Sequence, residues 1–135
     1  MGRYNRIDLN AACKAFYGAA DGAITPGMKI QLDADGLYTV NSTAGKINPP
    51  RIAQEDALQG KTVDDAYADG AQVPFIIPQR GDEVAVLLKD GQNVALGDFL
   101  QADAAGLWIE YAGSLSAITA TELKAVEFQT LEALD

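Results

Sequence analysis

Histidine is absent from the 135 residues, and cysteine occurs once, at Cys13. Without imidazole the common zinc sites lose their ligands, and a single thiol permits no intrachain disulfide. Cys13 also has no imidazole base to activate it, so its pattern is that of a small apolar filler rather than a nucleophile. Cations are scarce too: 10 Lys and Arg against 19 Asp and Glu give a formal charge of -9 and a sequence pI near 4.3. Nucleic-acid affinity rests on cations that neutralise phosphates. Arg51, Lys61, Arg80 and Lys89 instead stand singly among carboxylates, which argues against direct nucleic-acid binding. No run reaches the ~18 apolar residues of a membrane-spanning helix. Met1 to Ala20 is interrupted by Arg3, Asn5, Arg6, Asp8, Asn10 and Lys14, too often for a signal-peptide core. The chain is therefore expected to be made in, and stay soluble within, the cytoplasm of the producing cell. Aromatics make up only 7% of the residues, and much of the 48% hydrophobic fraction is alanine. Transfer free energy follows apolar area, at roughly 25 cal/mol per Å², so part of the stability is expected to come from partner subunits.

What the chain does have is close punctuation by glycine. Its length suits one domain, read as an extended N-terminal arm over 1–24 and a single β-rich domain over 25–135. The arm carries Tyr4, Ile7, Leu9, Phe16 and Tyr17 without a sustained period of 2 or 3.6. Its aromatic and branched residues favour a segment that lies on a surface over a frayed terminus. Met28, Ile30 and Leu32 alternate with polar residues, and Asp35-Gly36 turns the chain into Leu37 to Val40, a hairpin signal. Arg51 to Ala53 is a short strand candidate. Thr62-Val63-Asp64-Asp65 resembles a helix start, with Thr62 placed to cap the amide of Asp65, and predicts one short helical turn through Tyr67. Val73 to Pro78 is apolar but bracketed by prolines, which points to an edge strand or a strand end. Glu83 to Leu88 reads as a buried strand, Val94 to Leu96 as another, Phe99-Leu100 as the start of one, and Leu107 to Tyr111 as one with Trp108 packed inward. Leu123 to Leu134 fits both periods; strand is the reading for Ala125 to Thr130.

No constellation of residues carries chemistry. Asp33-Ala34-Asp35-Gly36 resembles a calcium-loop fragment, but its glycine comes too early and no spaced Glu follows. Asp64, Asp65 and Asp69 with Glu55 and Asp56 read as a solvated acidic face rather than a metal site. Glu55 and Asp56 are adjacent and would point to opposite faces of a strand, which is no acid–base dyad. Nucleophile-elbow and phosphate-loop signatures are missing, and Arg80-Gly81-Asp82 is read as a turn rather than an adhesion motif. The expectation is a protein that is not an enzyme, with no catalytic residue, no metal and no cofactor.

Several segments in a consistent order resemble one family. They are Ile24-Thr25-Pro26-Gly27-Met28, Ser42-Thr43-Ala44-Gly45, Glu55-Asp56, Leu58-Gln59-Gly60-Lys61-Thr62, Asp64-Asp65-Ala66-Tyr67-Ala68, Gly81-Asp82, and Asp90-Gly91-Gln92-Asn93 through Gly97-Asp98-Phe99-Leu100. Together they look like a capsid decoration, or head cement, protein of tailed bacteriophages. Leu131 to Asp135 is similar to a family segment that continues into a further strand. The resemblance implies a mainly β fold, a small β-barrel-like or β-tulip domain with one short helix. It also implies a homotrimer on the outer capsid surface of the virion, at threefold and quasi-threefold positions, with the major capsid protein as partner and no membrane. Within it, Tyr4, Ile7, Leu9, Phe16 and Tyr17 are the capsid-contact candidates. Phe75, Ile76 and Ile77 are candidates for the trimer interface, with the protomer core as the competing place for them. The rival classes are a carbohydrate- or receptor-binding β module, stacking on Trp108 or Tyr111, and a small hydrolase that would run on carboxylates alone.

Overall fold

The computed structural model describes residues 6–10, 14–45, 48–111 and 128–129. It is mainly β. The strands in chain order are β1 (Asp8–Asn10), β2 (Ala15–Ala19), β3 (Lys29–Leu32), β4 (Tyr38–Val40), β5 (Arg51–Ala53), β6 (Gln72–Ile76), β7 (Glu83–Val84), β8 (Phe99–Ala102), β9 (Trp108–Glu110) and β10 (Phe128–Gln129). Among the described residues the helical content is one 3-10 turn at Ala57–Gln59. All strand pairings are antiparallel, in a five-stranded sheet of order β2-β6-β5-β3-β4, a three-stranded sheet β10-β8-β9, and a β1-β7 pair. Among the described residues the sheets do not close into a barrel.

The chain contains the same hairpin twice. Gln31-Leu32-Asp33-Ala34-Asp35-Gly36-Leu37-Tyr38 joins β3 to β4, and Gln101-Ala102-Asp103-Ala104-Ala105-Gly106-Leu107-Trp108 joins β8 to β9. In the first, Asp33 Oδ1 accepts the amides of Asp35 and Leu37, both at 2.9 Å. In the second, Asp103 Oδ1 accepts those of Ala105 at 2.8 Å and Leu107 at 3.0 Å. Each tip ends on a glycine in the left-handed region, φ 80 at Gly36 and 78 at Gly106, where a Cβ is disfavoured. Asp at the first turn position, binding the amide two residues on, and glycine at the left-handed position are the residues this turn selects. The likeness extends outward. Asp21-Gly22 and Asp90-Gly91 precede buried Ile24 and Val94, and Ala20 bridges Tyr38 as Leu88 bridges Trp108, both in parallel. A third strand then joins each hairpin: β5 on β3, Lys29 opposite Ile52, and β10 on β8, Phe99 opposite Gln129.

Strands β5 and β6 sit between two cores. Because side chains alternate across a strand, the opposed pair Ile52 and Ile76 enters one cluster with Ile7, Val94, Leu100, Ala102 and Trp108. Ala53 and Phe75, one residue along, enter the other with Ala20, Ile24, Ile30, Tyr67 and Val73. Each fully buried Ile or Phe contributes about 1.5–3 kcal/mol, so this double-faced pair is the centre of the domain. Trp108 is fully buried, and its Nε1 donates to the carbonyl of Gly27 at 3.0 Å.

Of the two readings for Val73 to Pro78, the edge strand fails, since β6 lies between β2 and β5, while the strand does end at Ile76, before Pro78; a tyrosine fills the gap left by Pro74. Gln54 N donates to Pro74 O at 2.8 Å, so the amide that Pro74 lacks would face the Gln54 carbonyl. Tyr67 Oη donates to that carbonyl instead, at 2.8 Å. The Thr62 segment makes a turn, not a helix. The carboxylate of Asp65 accepts both the amide and the hydroxyl of Thr62, at 2.8 and 2.9 Å, the reverse of the expected cap. The chain then leaves to bridge Tyr67 to Ile24. Glu83 to Leu88 is regular strand only at β7 and is half-buried beyond it. Val94 is buried, but Leu96 lies in a turn, 69% exposed. Of the Ala125–Thr130 strand, Phe128–Gln129 is described, as β10.

Candidate interaction surface

The first two strands belong to the expected arm, and both are paired into the domain. β1 lies against β7 and β2 is the outermost strand of the five-stranded sheet. Ala20 N donates to Ala71 O, and Gly70 N to Ala20 O, both at 2.8 Å. That phase directs the amides of Phe16 and Gly18 toward β6 and those of Ala15 and Tyr17 outward. Among the described residues no strand pairs with that outer side along 15–17. Phe16 and Tyr17 are 44% and 58% exposed. Phe16 stacks on Phe75 with ring centroids 5.7 Å apart, Phe75 meets Tyr38 at 4.6 Å, and the Arg51 guanidinium lies 5.9 Å from the centre of the Tyr38 ring. A Cβ on Gly18 would collide with the Tyr38 ring, so glycine is what lets this aromatic row close.

The residues expected to contact the capsid therefore separate. Leu9, Phe16 and Tyr17 are exposed, while Ile7 is buried in the Trp108 core and Tyr4 lies outside the described residues. The residues expected at a trimer interface are inside the protomer. Phe75 and Ile76 are buried on opposite faces of β6, and Ile77 packs half-buried against the Tyr67 core. Their position between two cores, on a strand paired on both sides by β2 and β5, leaves Phe75 and Ile76 little surface to offer another chain.

Sequence reasoning passed over Leu58, which is 96% exposed on the 3-10 turn, as well as Leu96 and Leu32. The available signal was a leucine alone in a polar stretch, Glu55-Asp56-Ala57-Leu58-Gln59-Gly60-Lys61. In a turn this short it has no apolar neighbour to face.

The carboxylates near this surface are occupied with holding backbone. Glu55 Oε2 accepts the amide of Ile7 at 2.9 Å, and the Asp56 carboxylate accepts Leu58 N at 3.0 Å and Gln59 Nε2 at 2.6 Å. The two bonds from Thr62 hold the Asp65 carboxyl below its ordinary range, and burial pushes the Tyr67 phenol up, aided by nearby Asp56 and Glu55. Among the described residues no three Asp, Glu, Cys or His side chains are grouped to hold a metal ion. No helix among them is long and apolar enough to cross a membrane. Trp108 and Tyr111, the aromatics available for sugar stacking, are buried. In comparisons with known proteins, no family model and no curated protein matches the chain.

Proposed function

We propose that this chain is a virion structural protein that binds the outer surface of a tailed-bacteriophage capsid and stabilises the head against the pressure of its DNA. It acts as a homotrimer on the major capsid protein at threefold and quasi-threefold positions, and its fold is a small β-tulip-like domain. The reading rests on the ordered series of segments that resembles the decoration proteins. The structural observation that carries it is the exposure of Leu9, Phe16 and Tyr17 on the first two strands, with the outer edge of β2 open beside them among the described residues. An open edge accepts a strand from a neighbour through its outward amides, and apolar side chains beside it add specificity. The acidic charge keeps copies soluble and away from nucleic acid.

Stabilisation follows from binding. A ligand that prefers the closed lattice to separated subunits shifts the equilibrium toward the lattice by its own binding free energy. A stable interface buries roughly 1,200–2,000 Å², and three linked sites gain further through effective concentration. The test is to mix the purified protein with undecorated heads and image them. Added density at the threefold and quasi-threefold positions is expected; bare lattice at saturating protein would refute the reading.

A further inference from the structure

The duplicated hairpins offer the same seat twice, and the fold fills it once. In the repeat, Lys29 matches Phe99, Leu32 matches Ala102, Gly36 matches Gly106, Val40 matches Glu110 and Asn41 matches Tyr111. Asn41 N donates to Lys29 O at 2.9 Å, and Tyr111 N to Phe99 O at 2.7 Å. Because the N–H and C=O of one strand residue point the same way, Lys29 and Phe99 turn their N–H groups to the matching flank of each hairpin. On the first hairpin that flank is occupied by the tip of the second: Lys29 N donates to Gly106 O at 2.9 Å, and Asn41 Nδ2 to Asp103 O at 2.8 Å. The fit is close, since a Cβ on Gly106 would lie 2.8 Å from Lys29 O and 3.0 Å from Val40 Cβ. On the second hairpin the flank is open. Phe99 is 36% exposed, and among the described residues no acceptor takes its N–H. The tip that matches this flank is open too: among the described residues no donor reaches Gly36 O, a Cβ on Gly36 would meet nothing, and Leu32 is 49% exposed where Ala102 is 1%.

We propose that the tip of the β3–β4 hairpin seats on the Phe99–Tyr111 flank of a second copy of this chain, with Gly36 O accepting from Phe99 N as Gly106 O accepts from Lys29 N. The occupant is identified by the filled seat, which shows what this flank receives: an Asp-Ala-x-Gly tip. Leu32 brings apolar area that Ala102 does not have, whereas Tyr111 stands in the place of Asn41, so the second hydrogen bond is not repeated. A tip at one end and a matching flank at the other join copies head to tail, and such a contact either closes into a ring or continues as a filament. Closure at three copies rests on the homotrimer reading above. The contact also carries a signature in charge. Glu110 occupies the place of Val40, and Asp35 stands beside Gly36, both exposed, so two carboxylates approach each other from different copies at some cost.

The test is self-association of the purified full chain, measured by sedimentation equilibrium at low salt, with circular dichroism to check that each variant folds. Wild type is expected to reach the mass of a trimer. Leu32→Ser is expected to weaken association about fivefold to thirtyfold. Asp35→Lys and Glu110→Lys are each expected to tighten it about threefold to tenfold, and the double variant to return near wild type, because it restores like charges across the contact. General relief of acidic repulsion would instead make the double variant the tightest of all. That result, or wild-type association in Leu32→Ser, overturns the hairpin contact while a trimeric wild type leaves the homotrimer reading standing. A wild-type mass that climbs past three copies with concentration, and falls in Leu32→Ser, keeps the contact and overturns the closed trimer. A wild type that stays monomeric at every concentration overturns both.

Discussion

The hairpins 31–38 and 101–108 share turn residues, hydrogen bonds and left-handed glycines, yet their surroundings differ. The second is docked: the carbonyl of its tip glycine, Gly106, accepts from Lys29 N at 2.9 Å, and the carbonyl of Asp103 accepts from Asn41 Nδ2 at 2.8 Å. The first points its tip to solvent, where a Cβ on Gly36 would meet nothing. Equivalent positions diverge accordingly: Tyr38 is half-buried where Trp108 is enclosed, and Leu32 is 49% exposed where Ala102 is 1%. Turn geometry is a local property of the Asp-Ala-x-Gly segment, whereas burial is decided by what the rest of the chain lays against each copy.

That contrast can be broken by mutation. The largest difference is expected at the aromatic position. Trp108→Ala empties a core and removes the bond to Gly27, costing about 3–5 kcal/mol, while Tyr38→Ala costs about 1–2 kcal/mol; urea denaturation of both variants measures the gap. Next come the tip glycines. Gly36→Ala loses only the left-handed conformation, about 1–2 kcal/mol. Gly106→Ala loses that and also drives a methyl to within 2.8 Å of the Lys29 carbonyl oxygen and 3.0 Å of Val40 Cβ, for about 2–4 kcal/mol in total. Equal losses at the two glycines would show that the docking seen here does not constrain the second hairpin.

The smallest effect concerns the four-residue turns outside the hairpins. The carboxylate of Asp65 holds Thr62 N as that of Asp98 holds Ala95 N, at 2.8 and 2.7 Å, while the matching turn before the first hairpin uses the sulfur of Met28 on Thr25 N at 3.4 Å. Since folding lowers the Asp65 pKa, its contribution is present above the unfolded carboxyl value of about 4 and fades as pH falls through the lower folded value. Asp65→Asn is expected to narrow its small deficit against wild type on acidification below about pH 4, read from melting curves. A deficit independent of pH would mean the carboxylate charge is not what holds the turn.

Much of the fold was legible in residues that act locally. The β3–β4 hairpin followed from alternation and Asp35-Gly36, and Trp108 packs inward as its strand pattern indicated. What was not legible depended on distant partners. Pro74 marks an edge by its own chemistry, and only Tyr67, brought in by its bridge to Ile24, makes an interior place tolerable. Ile7 looked like part of a free arm because nothing nearby in sequence reveals that Glu55 holds its amide. Phe75 and Ile76 read as one apolar run, although alternation sends them into different cores. The duplication was open to sequence reading, since Gln-x-Asp-Ala-x-Gly-Leu followed by an aromatic occurs twice. At the surface, Phe16 and Tyr17 were identifiable from their aromatic character, whereas Leu58 was hidden because exposure in a tied loop leaves no periodic trace.

The proposed function is to fasten a capsid lattice from its outer surface. The most direct measurement is DNA release on heating from filled heads that lack decoration, followed with an intercalating dye as the protein is titrated in. Under the proposed function, the release temperature is expected to rise with occupancy and to level off when the threefold and quasi-threefold sites are full. An unchanged release temperature on heads shown to carry the bound protein would contradict it.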